Sequence, residues 1–391
     1  MRIAIIGAGP AGVEAAKVAA EAGVETHLFS RESVLPYFRP RLPAVAFGQE
    51  EPLAIQMRPL DWYEKKGIHL HLGSEVKTVD GRTLDLLTGS ETTRFDGIVL
   101  ATGAEPILPS LAADGGERLL PLWCLDHALA IRAKIKRGGQ ALILGGGILG
   151  IEAALRAQDA GLTVTVLERL GRLMPAQFGA KASAALLALL QRQGIAVLLN
   201  RTAVRAGTTS GGDRLALHLD DGRTLEADLG LISIGARPQT TMAAAAGLVT
   251  ERGIRVDAFL RTSADLIFAV GDAVQLQGVT RCSAREAAAQ GRLGGANLVA
   301  ALQGRPLTAY TPDVAPLVFK TREIELYALG EPAGEGSQEW FLDATEDSAF
   351  RALVLMNGVV TGVQMVGTRQ DFDHYAEMVR RRAEYQPPPR G

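Results

Sequence analysis

The sequence predicts an α/β protein built on two copies of one strand-turn-helix unit, with a small α+β domain after them. Three observations predict it. First, IAIIGAGPAGVEAA at 3–16 and LILGGGILGIEAA at 142–154 share one register: adding 138 takes Gly7, Gly9, Gly12, Glu14 and Gly23 to Gly145, Gly147, Gly150, Glu152 and Gly161. Second, alternating strand patterns with Asp80-Gly81 and Asp221-Gly222 hairpin signals lie between and after the two copies. Third, the texture changes near 311 to strands (APLVFKTREIELYALG, then FRALVLMNGVVTGVQMVG with an Asn357-Gly358 turn). The 391 residues fit two or three domains, since single cores seldom grow past roughly 250 to 300 residues.

Each copy opens with a short apolar strand, turns through G-x-G-x-x-G into an alanine-rich helix ending near glycine, and continues into a second strand, THLF or VTVL. The first glycine permits the tight turn, the second lets backbone approach a pyrophosphate, and the third lets helix pack on strand. The helix N-terminus then faces the phosphate charge. Two such motifs in register make each copy a Rossmann-like βαβ start and imply two bound dinucleotides. Residues 57–66, 180–193 and 371–382 read as further helices, and the QPPPRG end reads as a disordered tail from about 386.

Composition narrows the function classes. With 47% hydrophobic and 21% charged residues the chain reads as a soluble globular protein, and its net charge of -2 supplies no field for nonspecific nucleic-acid or membrane binding. Arg380, Arg381 and Arg382 read as a solvated helix end. Cys124 and Cys282 are too sparse for a disulfide framework or a cysteine-rich metal site, so no metal is expected and both read as small buried hydrophobes. Glycines interrupt the apolar N-terminal segment and no cleavage-like site follows it, and no uncharged apolar run reaches the roughly 18 to 20 residues of a membrane span. The expectation is a cytoplasmic protein.

Three further stretches stand in order with the repeat: IVLATGAEP at 98–106, LISIGARP at 231–238 and TSADLIFAVGDAV at 262–274. Together they resemble the FAD-dependent pyridine nucleotide-disulfide oxidoreductases over residues 1 to about 309. Within that superfamily LPYFRPRL, DWYEKKGI and GGGILGIE, with the short C-terminal domain, are most similar to the NADH:rubredoxin oxidoreductases and nitrite-reductase-like FAD proteins. The resemblance implies an FAD-binding domain from 1–110 and 236–309, a NAD-binding domain from 111–235, and a C-terminal α+β domain from 310–391.

For FAD, the resemblance implies Gly7, Gly9 and Gly12 at the pyrophosphate, with Pro10 and Ala11 opening the helix. It adds Val76 at the adenine, with an ordinary strand valine as its alternative, Ala101, Thr102 and Gly103 in the Ala-Thr-Gly segment, Gly235 where the chain returns, and Gly271 and Asp272 in the late motif. Asp272 would accept a hydrogen bond from a ribityl hydroxyl; capping the following segment is its structural alternative. Ser30 stands where the second copy has Glu168, a departure from the acid that many flavoproteins use to hold the adenosine ribose. Glu32 is the expected replacement, beside Arg31, unless Ser30 and backbone serve the ribose.

For NADH, the resemblance implies Gly145, Gly147, Ile148, Leu149 and Gly150. Glu168, 18 residues beyond Gly150, can accept both ribose hydroxyls and repel a 2'-phosphate, which favours NADH over NADPH. Glu152 is implied to reach the nicotinamide and flavin, with Arg39 or Arg41 as countercharge; its twin Glu14 leaves a helix-building role open.

PYFRPRLPAVAFG at 36–48 contains no redox cysteine, there is no C-x-x-C or C-x4-C, and neither cysteine is expected near this stretch. It reads as a flavin-side wall, with Pro40 and Leu42 near the ring and Arg39 and Arg41 holding the cofactor or facing a partner. Without a sulfur relay, the implied electron acceptor is a small acidic carrier of rubredoxin or ferredoxin type, rubredoxin foremost, for a monomer or homodimer. The alternatives are a ferredoxin reductase of an oxygenase system, an NADH oxidase, and a slow redox-sensing interaction protein.

Overall fold

A computed structural model describes residues 1–313, 315–321, 324–344 and 349–385. The first copy of the repeat lies in a five-stranded parallel sheet with the order Ile267–Ala269, Gly97–Leu100, Arg2–Ile6, Glu25–Phe29, Ile68–His71. One strand of this sheet thus arrives from beyond the second copy. Helix Pro10–Glu21 packs against the long helix Ala284–Leu302, and glycines on the latter set the distance. A Cβ on Gly291 would stand 2.1 Å from Ala11 O, and one on Gly295 2.7 Å from Ala15 O.

The second copy builds a matching parallel sheet, Ala196–Leu199, Thr163–Glu168, Gln140–Leu144, Leu229–Ile232, Leu119–Pro121. The offset of 138 holds at the level of single hydrogen bonds. Gly7 N donates to Phe29 O at 2.9 Å, and Gly145 N to Leu167 O at 2.8 Å. The glycine roles also repeat: a Cβ on Gly7 would meet Ala101 O at 2.2 Å, and one on Gly145 would meet Ser233 O at 2.2 Å. On Gly12 and Gly150 it would meet the carbonyl of the first glycine, at 1.8 and 2.0 Å, whereas Gly9 and Gly147 face open space. The first and third glycines are therefore demanded by packing, and the middle one borders room for a ligand.

Strands Ala104–Pro106 and Ala236–Pro238 pair antiparallel where the chain leaves and re-enters the first unit, and Glu105 bridges Arg237 at 2.8 Å. Each unit also carries a three-stranded antiparallel sheet. The Asp80-Gly81 signal forms a loop over 80–84 rather than a two-residue turn, because Asp80 Oδ1 accepts from Arg82 N and Thr83 N. Asn357-Gly358 is a two-residue hairpin turn with φ of 51° and 79°.

The last domain is a five-stranded antiparallel sheet with two buried faces. Side chains alternate along it: Leu326 and Ala328 join the core of the second unit, while Tyr327 and Leu329 join Phe372 and Ala376 of helix Phe372–Arg381. Gln364 Oε1 accepts from Gly179 N at 2.8 Å, tying this sheet to the start of helix Ala180–Arg192. The tail expected from about 386 lies outside the described residues. Among the described residues, no helix is long and apolar enough to cross a membrane.

The cysteine expectations need correction. Cys282 is exposed and Cys124 half-buried. Cys124 also lies beside the Pro36–Gly48 stretch, because its neighbours bind that stretch through their backbones: Arg39 donates to Trp123 O at 2.7 Å, and Leu125 N donates to Tyr37 Oη at 3.0 Å.

Candidate active site

A cleft of about 530 Å³ runs along the carboxyl end of the first sheet, where open parallel sheets hold ligands. Gly7, Gly9, Pro10 and Ala11 line it at the start of helix Pro10–Glu21. No side chain caps that helix, so its first N–H groups are left for an anionic ligand. Gly12 sits one residue inside, buried against Gly7.

Ser30, Arg31, Glu32 and Val76 line a second part of the cleft, and Ala101, Thr102 and Gly103 a third. Thr102 Oγ1 donates to Gln239 O at 2.9 Å, and Gly103 has φ of +69° with open space around it. Glu32 faces the cleft with both oxygens occupied: Arg39 Nη2 donates to Oε1 and Tyr37 Oη to Oε2, each at 2.6 Å. Ser30 Oγ lies 3.2 Å from both the backbone N and O of Glu32. Burial pushes the Tyr37 hydroxyl well above the usual phenol range, so it stays protonated and donates.

Gly271 and Asp272 stand on a single 3-10 turn after strand Ile267–Ala269. Gly271 has φ of +77° and its N–H donates to Gln290 Oε1 at 2.8 Å. Asp272 turns into the cleft, where its Oδ1 is buried without a hydrogen-bond partner. Burial pushes its carboxyl up to about 6. A buried oxygen left unpaired is costly, so a ligand donor is the natural complement. The uncapped helix start, the open face of Gly9 and this oxygen together fit the diphosphate and polyol of FAD.

The wall at 36–48 differs from expectation. Pro36, Tyr37 and Arg39 line the cleft, but Pro40, Arg41 and Leu42 do not. Residues Arg39–Arg41 form a turn of 3-10 helix, so successive side chains diverge. Pro40 is exposed, and Leu42 is only 2% exposed within the core shared with the second unit. Arg41 pairs with Glu50 at 2.9 Å and donates to Ala54 O at 2.7 Å. Gly235 also stands off the cleft, at the start of the returning strand, where its carbonyl accepts from Ile107 N at 3.0 Å.

In the second unit, Gly147 precedes helix Ile148–Asp159, again without a side-chain cap, and Leu149 is exposed there. Gly145 has φ of +112°, and Gly150 is packed under it. Glu168 is 8% exposed and grips the turn: Oε2 accepts from Gly146 N and Oε1 from Leu170 N, both at 2.7 Å. Glu152 is half-buried on the helix and does not line the cleft; burial raises its carboxyl pKa, against the pull of Arg156. Its twin Glu14 pairs with Arg292 at 3.2 Å.

Sequence reasoning missed Trp123, Gln239, Thr241 and Met242, all of which line the cleft. Trp123 and Gln239 come from connecting segments, and Thr241 and Met242 open the five-residue helix Thr241–Ala245, too short for its periodicity to mark it. Trp123 is one of three tryptophans, and its Nε1 donates to Ala104 O at 3.2 Å.

Two parallel-sheet dinucleotide folds joined by a paired linker, with a cleft at the first glycine turn, define a two-dinucleotide reductase. The chain belongs to the pyridine nucleotide-disulphide oxidoreductase family, whose profile matches residues 1–291. FAD and NAD(H) are the dinucleotides of this family, and the chain carries a glycine turn for each. Over 392 aligned residues it is 27% identical to the nitrite reductase [NAD(P)H] of Bacillus subtilis (strain 168), covering 98% of this chain and 48% of that protein. It is 32% identical over 278 residues to the rubredoxin-NAD(+) reductase of Pseudomonas putida, covering 70% and 71%. The fold superposes on putidaredoxin reductase in its covalent complex with putidaredoxin with a TM-score of 0.88, at 25% identity, covering 97% and 93%. The chain spans about half the length of the Bacillus relatives it matches.

Proposed function

We propose that this chain is an FAD-dependent NADH reductase that passes electrons to a small one-electron carrier protein, rubredoxin foremost. The observation that carries the reading is the buried, unpartnered Asp272 oxygen in a cleft whose glycine turn and uncapped helix fit a flavin dinucleotide. Bound FAD supplies the chemistry of taking a hydride from NADH and releasing its electrons singly.

The chain's own residues hold and orient. The N–H groups opening helix Pro10–Glu21 bind the diphosphate, and Asp272 accepts from the polyol. Arg39, fixed between Glu32 and Trp123 O, walls the cleft. In the second unit the turn at Gly147 holds the NADH diphosphate, and Glu168 accepts from its ribose and disfavours a 2'-phosphate. Glu152 orients the nicotinamide. Both cysteines are free, and neither is paired with a second sulfur to relay electrons. The Pseudomonas rubredoxin-NAD(+) reductase and the putidaredoxin reductase complex support a carrier as acceptor.

Anaerobic NADH reduction of the FAD-loaded protein, followed by mixing with rubredoxin, ferredoxin and oxygen in parallel, tests the reading. Rapid bleaching of flavin absorbance and fast reoxidation by rubredoxin are expected. Reoxidation by oxygen alone would make it an oxidase, and slow bleaching would sink the reductase assignment altogether.

A further inference from the structure

Three of the chain's six histidines, His27, His69 and His71, meet on one face of the first sheet, apart from the cleft. Strands Glu25–Phe29 and Ile68–His71 run in parallel, with His27 opposite His69 and Phe29 opposite His71. Because side chains alternate along a strand, Glu25, His27 and Phe29 share a face with His69 and His71. The His27 and His69 rings stack with centroids 4.6 Å apart. One donor atom from each of Glu25, His27 and His69 lies within 4.8 Å of the other two.

The contacts around His27 allow its Nε2 to present a lone pair. In the tautomer protonated on Nδ1, His27 Nε2 accepts from Arg2 Nε at 3.1 Å and Nδ1 donates to His71 Nε2 at 2.9 Å. A metal-binding imidazole needs this arrangement, one lone pair presented and the other N–H held by a second group. Arg2 Nε also lies 3.2 Å from Glu25 Oε1. In that tautomer the 3.0 Å approach of His27 Nε2 to Glu25 Oε1 brings two acceptors together, a contact that a shared cation makes favourable. The guanidinium stands where that cation belongs. Its side chain is 40% exposed and rests 4.9 Å over the Phe95 ring, so it can withdraw without unfolding anything.

We propose that Glu25, His27 and His69 bind one divalent late first-row transition-metal ion of the Zn²⁺ class, displacing Arg2, with His71 orienting the His27 ring. Two imidazoles and a carboxylate suit this class and leave a fourth position for water. Tetrahedral bonds of about 2.0 to 2.2 Å place ligand atoms about 3.3 Å apart. His27 Nε2 and Glu25 Oε1, 3.0 Å apart, already meet this spacing, and the donor of exposed His69, within 4.8 Å of both, closes by at most about 1.5 Å. The site is independent of the reductase reading. It nevertheless joins the strands that lead into the cleft, since Ser30 N donates to His71 O at 2.9 Å.

Equilibrium dialysis of the FAD-loaded protein against Zn²⁺, with metal analysis of the retained fraction, tests it. One Zn²⁺ per chain is expected. His69→Ala and Glu25→Ala, both at exposed positions that leave the fold intact, should each weaken binding about tenfold or more. Arg2→Gln, which removes the resident cation, should tighten it severalfold. No stoichiometric Zn²⁺, or Zn²⁺ bound equally by His69→Ala and Glu25→Ala, overturns the site. Binding weakened by Arg2→Gln overturns the displacement of Arg2.

Discussion

Tyr37 donates its hydroxyl hydrogen to Glu32 Oε2 at 2.6 Å while its oxygen accepts from Leu125 N at 3.0 Å, so one phenol joins the wall of the first cleft to the segment entering the second unit. Arg39 repeats the link, donating to Glu32 Oε1 and to Trp123 O. Glu32 therefore has a structural role beside any contact with a ribose.

Glu32→Ala is expected to lower unfolding free energy by about 1 to 3 kcal/mol, because it strands a buried hydroxyl and frees a guanidinium. Tyr37→Phe should cost about 1 kcal/mol by losing the same link from the other side. Urea unfolding of the two single variants and the double variant measures this. Strict additivity of the two losses would show that the pair is not coupled.

Asp272 gives a pH dependence whose sign follows from its burial. Its folded-state carboxyl is raised to about 6 from the usual 3.8, so between those values the folded protein without cofactor holds more protons than the unfolded chain. Stability from this group is fully present below about pH 4 and is lost as pH rises through about 6, by roughly 3 kcal/mol at most. A hydroxyl donor from bound FAD favours the carboxylate and reverses the balance. FAD should bind more weakly at pH 5 than at pH 7.5, and Asp272→Asn should bind weakly at both. Fluorescence titration with FAD across this range decides it; an unchanged pH profile in Asp272→Asn would remove Asp272 from the site.

Glu168 accepts from Gly146 N and Leu170 N with its two oxygens; on the proposed reading its remaining lone pairs accept from ribose hydroxyls and its charge repels a 2'-phosphate. Glu168→Ala should raise KM for NADH and narrow the preference over NADPH by about tenfold. Wild-type protein with equal kcat/KM for the two cofactors would refute the reading.

The parts of the fold legible in the sequence are those where sterics leave one residue type. The offset of 138 was readable because only glycine survives 2.2 Å from Ala101 O or 1.8 Å from Gly7 O. The place of Asp272 in the cleft was readable because a carboxylate after a buried strand needs a partner, and its Oδ1 has none within the protein. By contrast, PYFRPRL reads as one continuous wall, but a 3-10 turn sends Arg39 to the cleft, Arg41 to Glu50 and Leu42 into the core. The nearness of Cys124 and Trp123 to Arg39 depends on a contact 84 positions apart, and nothing local in the sequence encodes it.

The glycine geometry supplies the sharpest separation of folding from binding. Gly9 has φ of -74°, and a Cβ there meets nothing within 4 Å, so Gly9→Ala fits both backbone and packing. Its methyl group would occupy space that a diphosphate needs to approach the helix N-terminus. The variant should fold with near-wild-type stability and bind FAD at least about tenfold more weakly. Gly7→Ala, at φ of +106° and 2.2 Å from Ala101 O, should not fold. Gly147, with φ of -78° and equally open, makes the same test for the second unit. Gly147→Ala should keep FAD and raise KM for NADH, so the two middle-glycine variants assign one dinucleotide to each turn. Loss of FAD from Gly147→Ala, or full FAD affinity in Gly9→Ala, would reverse that assignment.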